Sequence, residues 1–436
     1  MEETLEYLLM RKNDIITLVR LDEDGNMLYF SKEMINEDMA PLQDRYRNNS
    51  LKLWWKERSV PVNQGRMKKF LRENGYSGPS QYLVKNLGLS LTDYYWVKPV
   101  NSDLSWENIN LFENDFKENL IDFQKENTTT NPNGIPHYSP NGSLQGGIEK
   151  TWIINNGKRY LIKGNRNERS NESMNEIIAA EIHKRQGFSN YLHYNLIKIK
   201  NRDYVYGCSC RLFTSVEREL VPAWALFTSE KKKNDVSNYS HLLNVCRRHG
   251  MDIDLVKKQL EYEIMTDFVI SGYDRHLNNI GFMRDADSLE FTGMAPIFDS
   301  GGALFCNKPI PKNTKELLSL STESFVKKES NLVKLVEDKN VIDLTKLPPA
   351  SFIRNLYEKD PNLNRTDIRR IACCYEKKID ICRSLQLGKD PFKTQYSIPK
   401  HGKEIKTAPD RKQNGKRTTH IGQNPDGHDG TGVPQP

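Results

Sequence analysis

The sequence predicts an α+β fold in which a β-rich unit containing one helix is followed by a mainly helical unit. Two features point to it. Residues 150–154 and 159–163 are apolar-rich runs joined by Asn155-Asn156-Gly157-Lys158, a turn sequence that supplies positive φ, and they read as a β-hairpin. Further along, Val256, Leu260, Ile264 and Phe268 recur every four residues, the pattern of an amphipathic helix. The 436 residues allow two or three domains and a substantial core.

Taken in order, the chain opens with a hairpin over residues 13–31. Ile15-Ile16-Thr17-Leu18-Val19 and Met27-Leu28-Tyr29-Phe30 flank a turn at Asp22-Glu23-Asp24-Gly25-Asn26. Helices are expected around residues 51–57 and 66–74, ahead of an aromatic segment, Leu91-Thr92-Asp93-Tyr94-Tyr95-Trp96-Val97. Residues 126–142, with three Thr, four Asn and three Pro, read as a linker or flexible loop. After the central hairpin, Met174, Ile177, Ile178 and Ile182 fall at helical spacing over residues 172–186, with Gly187 as the stop. Strands are expected at 194–200 and 204–211, and the pattern turns mainly helical beyond Phe213. Two late helices are expected, at 315–336 and 367–385. In the second, Ile368, Ile371, Ala372, Tyr375, Ile379 and Cys382 form one apolar stripe, read as core packing. From Gly388 the composition is too polar to offset the entropy of ordering, so a disordered tail is expected. The divisions that result are an α/β accessory region at 1–125, a β-rich lobe at 126–213, a helical lobe at 214–387 and a basic tail at 388–436.

Composition narrows the function classes. No apolar run approaches the roughly 20 residues that span a bilayer. The acidic start, Met-Glu-Glu-Thr-Leu-Glu, is expected of neither a secretory signal nor a transit peptide. The seven Cys lack C-x-x-C spacing and read as reduced, packed thiols, so a cytoplasmic location is expected. Of the net charge of +7, a local +5 falls between Lys400 and Thr418, with seven Lys or Arg against two acids. No basic stripe marks the rest of the chain as a nucleic-acid binder, so nucleic acid is expected only indirectly or through the tail.

The chemistry concentrates in residues 271–301. Asp274 and Asn279 lie five residues apart, and Asp299 follows the apolar Pro296-Ile297-Phe298 and precedes Ser300-Gly301. Phosphoryl transfer needs one carboxylate near the acceptor hydroxyl. It also needs an amide and a second carboxylate as hard oxygen ligands for metal ions on the phosphates. The segment supplies these in the order and spacing of protein kinases. Asp274 would take or orient the proton of the incoming hydroxyl, while Asn279 and Asp299 would hold Mg²⁺. His276 would steady Asp274, and Asn278 would contact phosphate. Arg275 has no argued role beyond bracing. A zinc site on His276, Asp274 and Asp299 is the metal alternative, and it lacks the paired His or His/Cys clusters that zinc favours.

Upstream, Ser139-Pro140-Asn141-Gly142-Ser143-Leu144-Gln145-Gly146-Gly147 precedes the central hairpin. Its glycines would let backbone N–H groups approach phosphate oxygens, although the spacing is not G-x-G-x-x-G. Lys163 ends Tyr160-Leu161-Ile162-Lys163, a run similar to V-A-I-K, and would pair with phosphate oxygens. Glu176 is chosen as its ion-pair partner, with Glu181 competing and Glu172 explained by capping. A β-rich unit with one helix followed by a helical unit holding the catalytic loop is the two-lobed protein-kinase-like layout.

With these pieces in place the chain resembles the HipA-like serine/threonine protein kinases. The residues that carry the likeness are Gly142-Ser143-Leu144-Gln145-Gly146-Gly147-Ile148-Glu149-Lys150-Thr151, Lys163, Asn175-Glu176, Asp274-x-His276-x-Asn278-Asn279 and Pro296-Ile297-Phe298-Asp299, within roughly residues 130–390. Asp-Arg-His is also similar to the catalytic loop of phosphatidylinositol kinases. The resemblance implies phosphorylation of Ser/Thr on a protein substrate with ATP and Mg²⁺. It also implies autophosphorylation in the Gly-rich loop, at Ser143 or its neighbour Ser139, and a toxin restrained by an antitoxin or other regulatory protein. Residues 1–120 depart from the usual N-terminal domain of that family. They are more similar to a divergent bacterial branch, through Trp55-Lys56-Glu57-Arg58-Ser59-Val60-Pro61 and the segment from Leu89 to Val97. A kinase-fold enzyme acting on a small molecule or lipid, and a non-enzymatic nucleotide-binding module, remain as alternatives.

Overall fold

The computed structural model describes residues 5–116 and 137–393, and among these it mixes three antiparallel sheets with helices. The first sheet has the order β3-β2-β1-β4, built from β1 (Leu5–Arg11), β2 (Asp14–Leu21), β3 (Met27–Phe30) and β4 (Tyr95–Pro99). The expected first hairpin is β2–β3. Strand β1 lies between β2 and β4 and was not expected. Leu9 packs into one apolar cluster and the adjacent Met10 into another, so both faces are covered and no polar alternation shows.

Helices α1 (Ser50–Arg58), α2 (Met67–Glu73) and α3 (Pro79–Lys85) follow β3, and α4 (Trp106–Ile109) follows β4. The indole of Trp55 on α1 donates to the Gly25 carbonyl (2.9 Å), which ties α1 to the β2–β3 turn. The 117–136 portion, including most of the expected linker, lies outside the described residues.

The second sheet has the order β5-β6-β8-β7, from β5 (Lys150–Asn155), β6 (Lys158–Lys163), β7 (Tyr194–Lys198) and β8 (Tyr206–Arg211). Asn156 and Gly157 take φ of 49° and 69°, the paired positive angles that match a two-residue turn to twisted strands. Between β6 and β7 runs α5 (Glu172–Gln186), which stops at Gly187 in the left-handed region, as the spacing predicts.

Beyond residue 213 the chain is less purely helical than expected. β9 (Arg218–Pro222), β10 (Gly281–Asp285) and β11 (Phe291–Met294) form a third sheet in the order β11-β10-β9. Between β9 and β10 come α6 (Ala223–Thr228), α7 (Asn238–Arg248) and α8 (Ile253–Ile270). Then follow α9 (Thr314–Leu317), α10 (Glu329–Leu332), α11 (Ala350–Tyr357) and α12 (Arg365–Gln386).

The expected helix at 315–336 is therefore wrong, since only its ends are helical. The interruption holds Ser319, Ser321, Thr322 and Ser324. Such side chains draw the backbone out of helix, and the Thr322 hydroxyl donates to the Tyr273 carbonyl (3.3 Å). By contrast, α12 forms as expected and buries Ile368, Ile371, Ala372, Tyr375 and Cys382.

The largest apolar cluster joins α5, α7, α8, α11 and α12. A second cluster crosses the boundary drawn near residue 125. Met10, Leu91, Trp96 and Trp106 share it with Leu144, Trp152 and Ala286. Beside it the buried Arg11 donates to Glu219 on β9 (2.7 Å) and to the Ala286 carbonyl (2.6 Å). Six of the seven cysteines are buried, all are free, and Cys373 is exposed. No helix among the described residues is long and apolar enough to cross a membrane. The expected tail lies outside the described residues from 394 onward.

Candidate active site

Strand β6 ends on Lys163, whose side chain is buried under the sheet. Its ammonium pairs with Glu176 on α5 and donates to Asp299 Oδ1 (2.8 Å). The choice between Glu176 and Glu181 is thereby decided, since Glu181 pairs with Arg185 (2.6 Å) one turn further along α5. Glu172 stands in the first turn of α5, as expected. It is buried and accepts from the Asn307 amide (2.7 Å).

Helix α8 carries the chain to the second half of the site. It closes at Ser271 in the left-handed region (φ 51°), and Gly272 N–H bonds back to the Asp267 carbonyl (2.7 Å), which turns the chain into the Asp274 loop. Asp274 is partly exposed and lies 3.7 Å from the His276 ring. The Asn279 amide donates to the Asp274 carbonyl (2.8 Å), so Oδ1 is the Asn279 atom left to serve as a hard ligand. Gly302 is close beneath: a Cβ there would stand 2.6 Å from the Asp274 Cβ.

Asp299 takes φ of 57°, a left-handed conformation that Asp tolerates better than most residues. Its N–H donates to the Tyr194 hydroxyl (3.3 Å), and the following N–H, of Ser300, donates to Glu176 (2.9 Å). Lys150 at the start of β5 approaches Asp299 Oδ2 at 3.6 Å. The same ammonium donates to the Gln145 carbonyl (3.0 Å), and a Cβ on Gly146 would fall 2.8 Å from it.

One ammonium shared by two carboxylates sets the charges. Burial alone would lower Lys163, but Asp299 and Glu176 outweigh it and hold the ammonium well above its ordinary value. Burial would raise Asp299, and Lys163 together with Lys150 overrides it, so that carboxyl is held well below its usual range. Glu176, deeper and with only part of one cation, is pushed up by burial against the pull of Lys163. Asp274 moves up as well, by burial first, with His276 pulling it down and Asp299 pushing it further up.

Arg275 joins the two halves. Its buried guanidinium makes a two-point pair with Asp267 (2.8 and 3.1 Å) and lies 3.3 Å from Glu263. It also donates to the Asn279 carbonyl (3.0 Å), the Phe298 carbonyl (2.6 Å) and the Ser300 hydroxyl (2.8 Å). The Asp274 loop and the Asp299 loop therefore hang from one side chain. Asn175 does similar work on the far side, donating to the carbonyls of Gly301 (2.8 Å) and Ala303 (2.7 Å).

The sequence singled out Lys163, Glu176, Asp274, His276, Asn279 and Asp299, and the fold brings these together. Gly146 joins them through Lys150, whereas Gly147 and Asn278 are exposed, Asn278 N–H donating to the His276 ring (3.3 Å). Ser143 sits apart from the exposed stretch at 145–147. It closes a short 3₁₀ turn (Pro140–Ser143), and its hydroxyl donates to the carbonyls of Leu89 (2.9 Å) and Pro140 (3.2 Å). Sequence reasoning gave no role to Lys150, Tyr194 or Gly302. The adjacent glycines after Asp299 were a usable signal for Gly302; Tyr194 carried none.

Among the described residues no group of three or more His, Cys, Asp or Glu is arranged to hold a metal ion. The set of donors here, one ionised carboxylate and one amide oxygen among lysines, suits a magnesium ion that keeps most of its ligands from phosphate and water.

No family model matches the chain. A curated relative is the serine/threonine-protein kinase CtkA of Helicobacter pylori, 30% identical over 101 residues. That stretch is 22% of this chain and spans only 31% of the relative's length. Among solved structures, the H. pylori proinflammatory kinase CtkA aligns at a TM-score of 0.42 and 19% identity, over 60% of this chain and 96% of the other. HipA of Shewanella oneidensis, in its complex with HipB and operator DNA, aligns at 0.47 and 11% identity, over 88% and 98%. The sequence likeness to a serine/threonine-protein kinase is thus confined to that stretch.

Proposed function

We propose that the chain is a serine/threonine protein kinase that uses ATP and Mg²⁺. The observation that carries the reading is the buried Lys163–Glu176–Asp299 cluster, strapped by Arg275 to the loop that bears Asp274 and Asn279. The β5–β8 sheet with α5 serves as the N-lobe and the region from residue 214 to 387 as the C-lobe. Lys163 and Lys150 meet phosphate oxygens, and Asn279 Oδ1 and Asp299 hold the metal, whose contribution when bound is to neutralise charge on the phosphates. Asp274 orients the substrate hydroxyl and receives its proton. The hydroxyl oxygen bonds to the γ-phosphorus as the bond to the bridging oxygen breaks, and ADP leaves.

Autophosphorylation of the Gly-rich loop belongs to the same proposal. Ser143 would have to release the Leu89 and Pro140 carbonyls before its hydroxyl could react. The phosphate would add roughly −2 charge beside a nucleotide site and so oppose ATP. The proposal is tested by incubating the full chain with γ-labelled ATP and Mg²⁺, with lysate protein and with lipid vesicles as separate acceptors. Label on Ser or Thr of protein supports it. Label on lipid alone, or none at all, overturns it.

A further inference from the structure

We infer that residues 58–65 of the N-terminal region clamp the Gly-rich loop in the shape that receives phosphate, with Gln64 as the positioning residue. The inference rests on reading residues 139–149 as the phosphate loop of the proposed kinase, and it gives the N-terminal region a part in that site.

Gln64 is 2% exposed, and a buried primary amide must spend its two N–H donors somewhere. It spends them on the loop, donating to the carbonyls of Leu144 (3.0 Å) and Gly146 (2.8 Å). One turn of chain earlier, the Val60 N–H donates to the Gly142 carbonyl (2.8 Å). The loop replies through the Gln145 side chain, whose amide donates to the carbonyls of Arg58 (2.8 Å) and Ser59 (3.1 Å). Gly65, at φ +48°, abuts the end of the loop so closely that a Cβ would meet the Glu149 Cβ at 2.6 Å.

These bonds dictate which way the loop's peptides face. In a planar trans peptide the C=O and the following N–H point in opposite directions. Drawing the carbonyls of 144 and 146 toward the N-terminal segment therefore turns the N–H groups of Gln145 and Gly147 away from it. A phosphate is repelled by carbonyl oxygens and held by N–H groups, so the clamp removes the wrong dipoles and leaves the right ones. Lys150 fixes the intervening peptide from the other side through the Gln145 carbonyl and connects the loop to Asp299. The loop's own sequence cannot enforce this shape, because glycines at 146 and 147 leave it free to flip.

The test uses the full chain with Gln64→Met, which keeps the length of the side chain and deletes both donors. KM for ATP is expected to rise about tenfold, the effect of two lost hydrogen bonds at a preorganised loop, with kcat within about twofold of wild type. Calorimetric affinity for ATP should fall by the same factor, while affinity for adenosine, which has no phosphates, should not change. Because Gln64 is buried, Gln145→Ala at the exposed end of the clamp serves as the second variant, with a smaller shift in the same direction. Folded variants that both match wild type in KM and ATP affinity would overturn the inference. So would an equal loss of adenosine affinity, which would mark a general structural role. Should wild type bind ATP but transfer no phosphate, a Gln64-dependent ATP affinity would uphold the clamp while the kinase reading fell.

Discussion

Asp274 and Asp299 are the same residue type in adjoining loops, yet the fold pushes their carboxyls in opposite directions. Asp299, a quarter exposed, faces two ammonium groups and is held ionised, as its proposed role in holding metal requires. Asp274 lacks such a cation, and burial raises it, which improves it as a proton acceptor. Replacing Asp274 by Asn should lower phosphoryl transfer by about 100-fold or more while leaving calorimetric ATP affinity intact, because nucleotide binding rests on other groups. Transfer at near wild-type rate would remove Asp274 from the mechanism. The raised carboxyl also fixes the sign of the pH dependence. Activity is lost as pH falls through the Asp274 titration, at a pH above the ordinary 3.8, and His276→Gln should move that limb upward by deleting the group that pulls it down. A limb at or below 3.8 in kcat/KM would contradict the assignment. A third comparison separates a buried lysine from an exposed one five residues away. Lys163→Met should abolish activity, whereas Lys158→Met at the exposed start of β6 should not, in parallel transfer assays.

At the scale of elements, α8 is the beam on which the site is hung. It presents Glu263 and Asp267 one turn apart to a single guanidinium, that of Arg275. Asp267 takes the two-point pair, leaving Glu263 buried with a share of the charge, and burial pushes its carboxyl up to about 7 against the pull of Arg275. A carboxyl raised in the folded state binds its proton more tightly there than in the unfolded chain. Its contribution is thus full below the unfolded value near 4.5 and is lost as pH rises through about 7. The loss is on the order of 3 kcal/mol. Urea unfolding across pH 4.5 to 8 should therefore show wild-type stability declining relative to Glu263→Gln, whose amide does not titrate. Parallel curves would show that Glu263 is not the titrating group. The mixed outcome at 315–336 belongs to this scale too, because its apolar spacing is helical while its Ser and Thr side chains satisfy the backbone in another way.

For the whole molecule, the N-terminal region and the β5–β8 sheet share one apolar cluster, and Arg11 crosses to Glu219 and Ala286. Cutting the chain at residue 125 would uncover Leu144, Trp152 and Ala286, and would leave Glu219 with Arg284 alone. A fragment beginning at residue 126 is expected to aggregate or to lose cooperative thermal unfolding, read by size-exclusion chromatography and melting. A soluble, cooperatively melting fragment would show that the region from residue 126 folds by itself.

The sequence by itself determined the elements whose signals are local. The β5–β6 hairpin follows from Asn156-Gly157, α5 from its periodicity and its Gly187 stop, and α12 from its stripe, because turn chemistry and helical period act over a few residues. It also placed Asp274, Asn279 and Asp299 in their order, since all three fall in one short stretch of chain. Tertiary structure alone decided what depends on neighbours distant along the chain. Strand β1 was hidden because both its faces are buried by different clusters. Glu176 rather than Glu181 meets Lys163 because α5 turns that face, and not the next turn's, toward β6. Lys150 and Tyr194 reach Asp299 across more than a hundred residues, and Gln64 reaches the Gly-rich loop from a separate region. Such pairings are set by which surfaces the packed core brings together, and spacing along the chain carries no record of that.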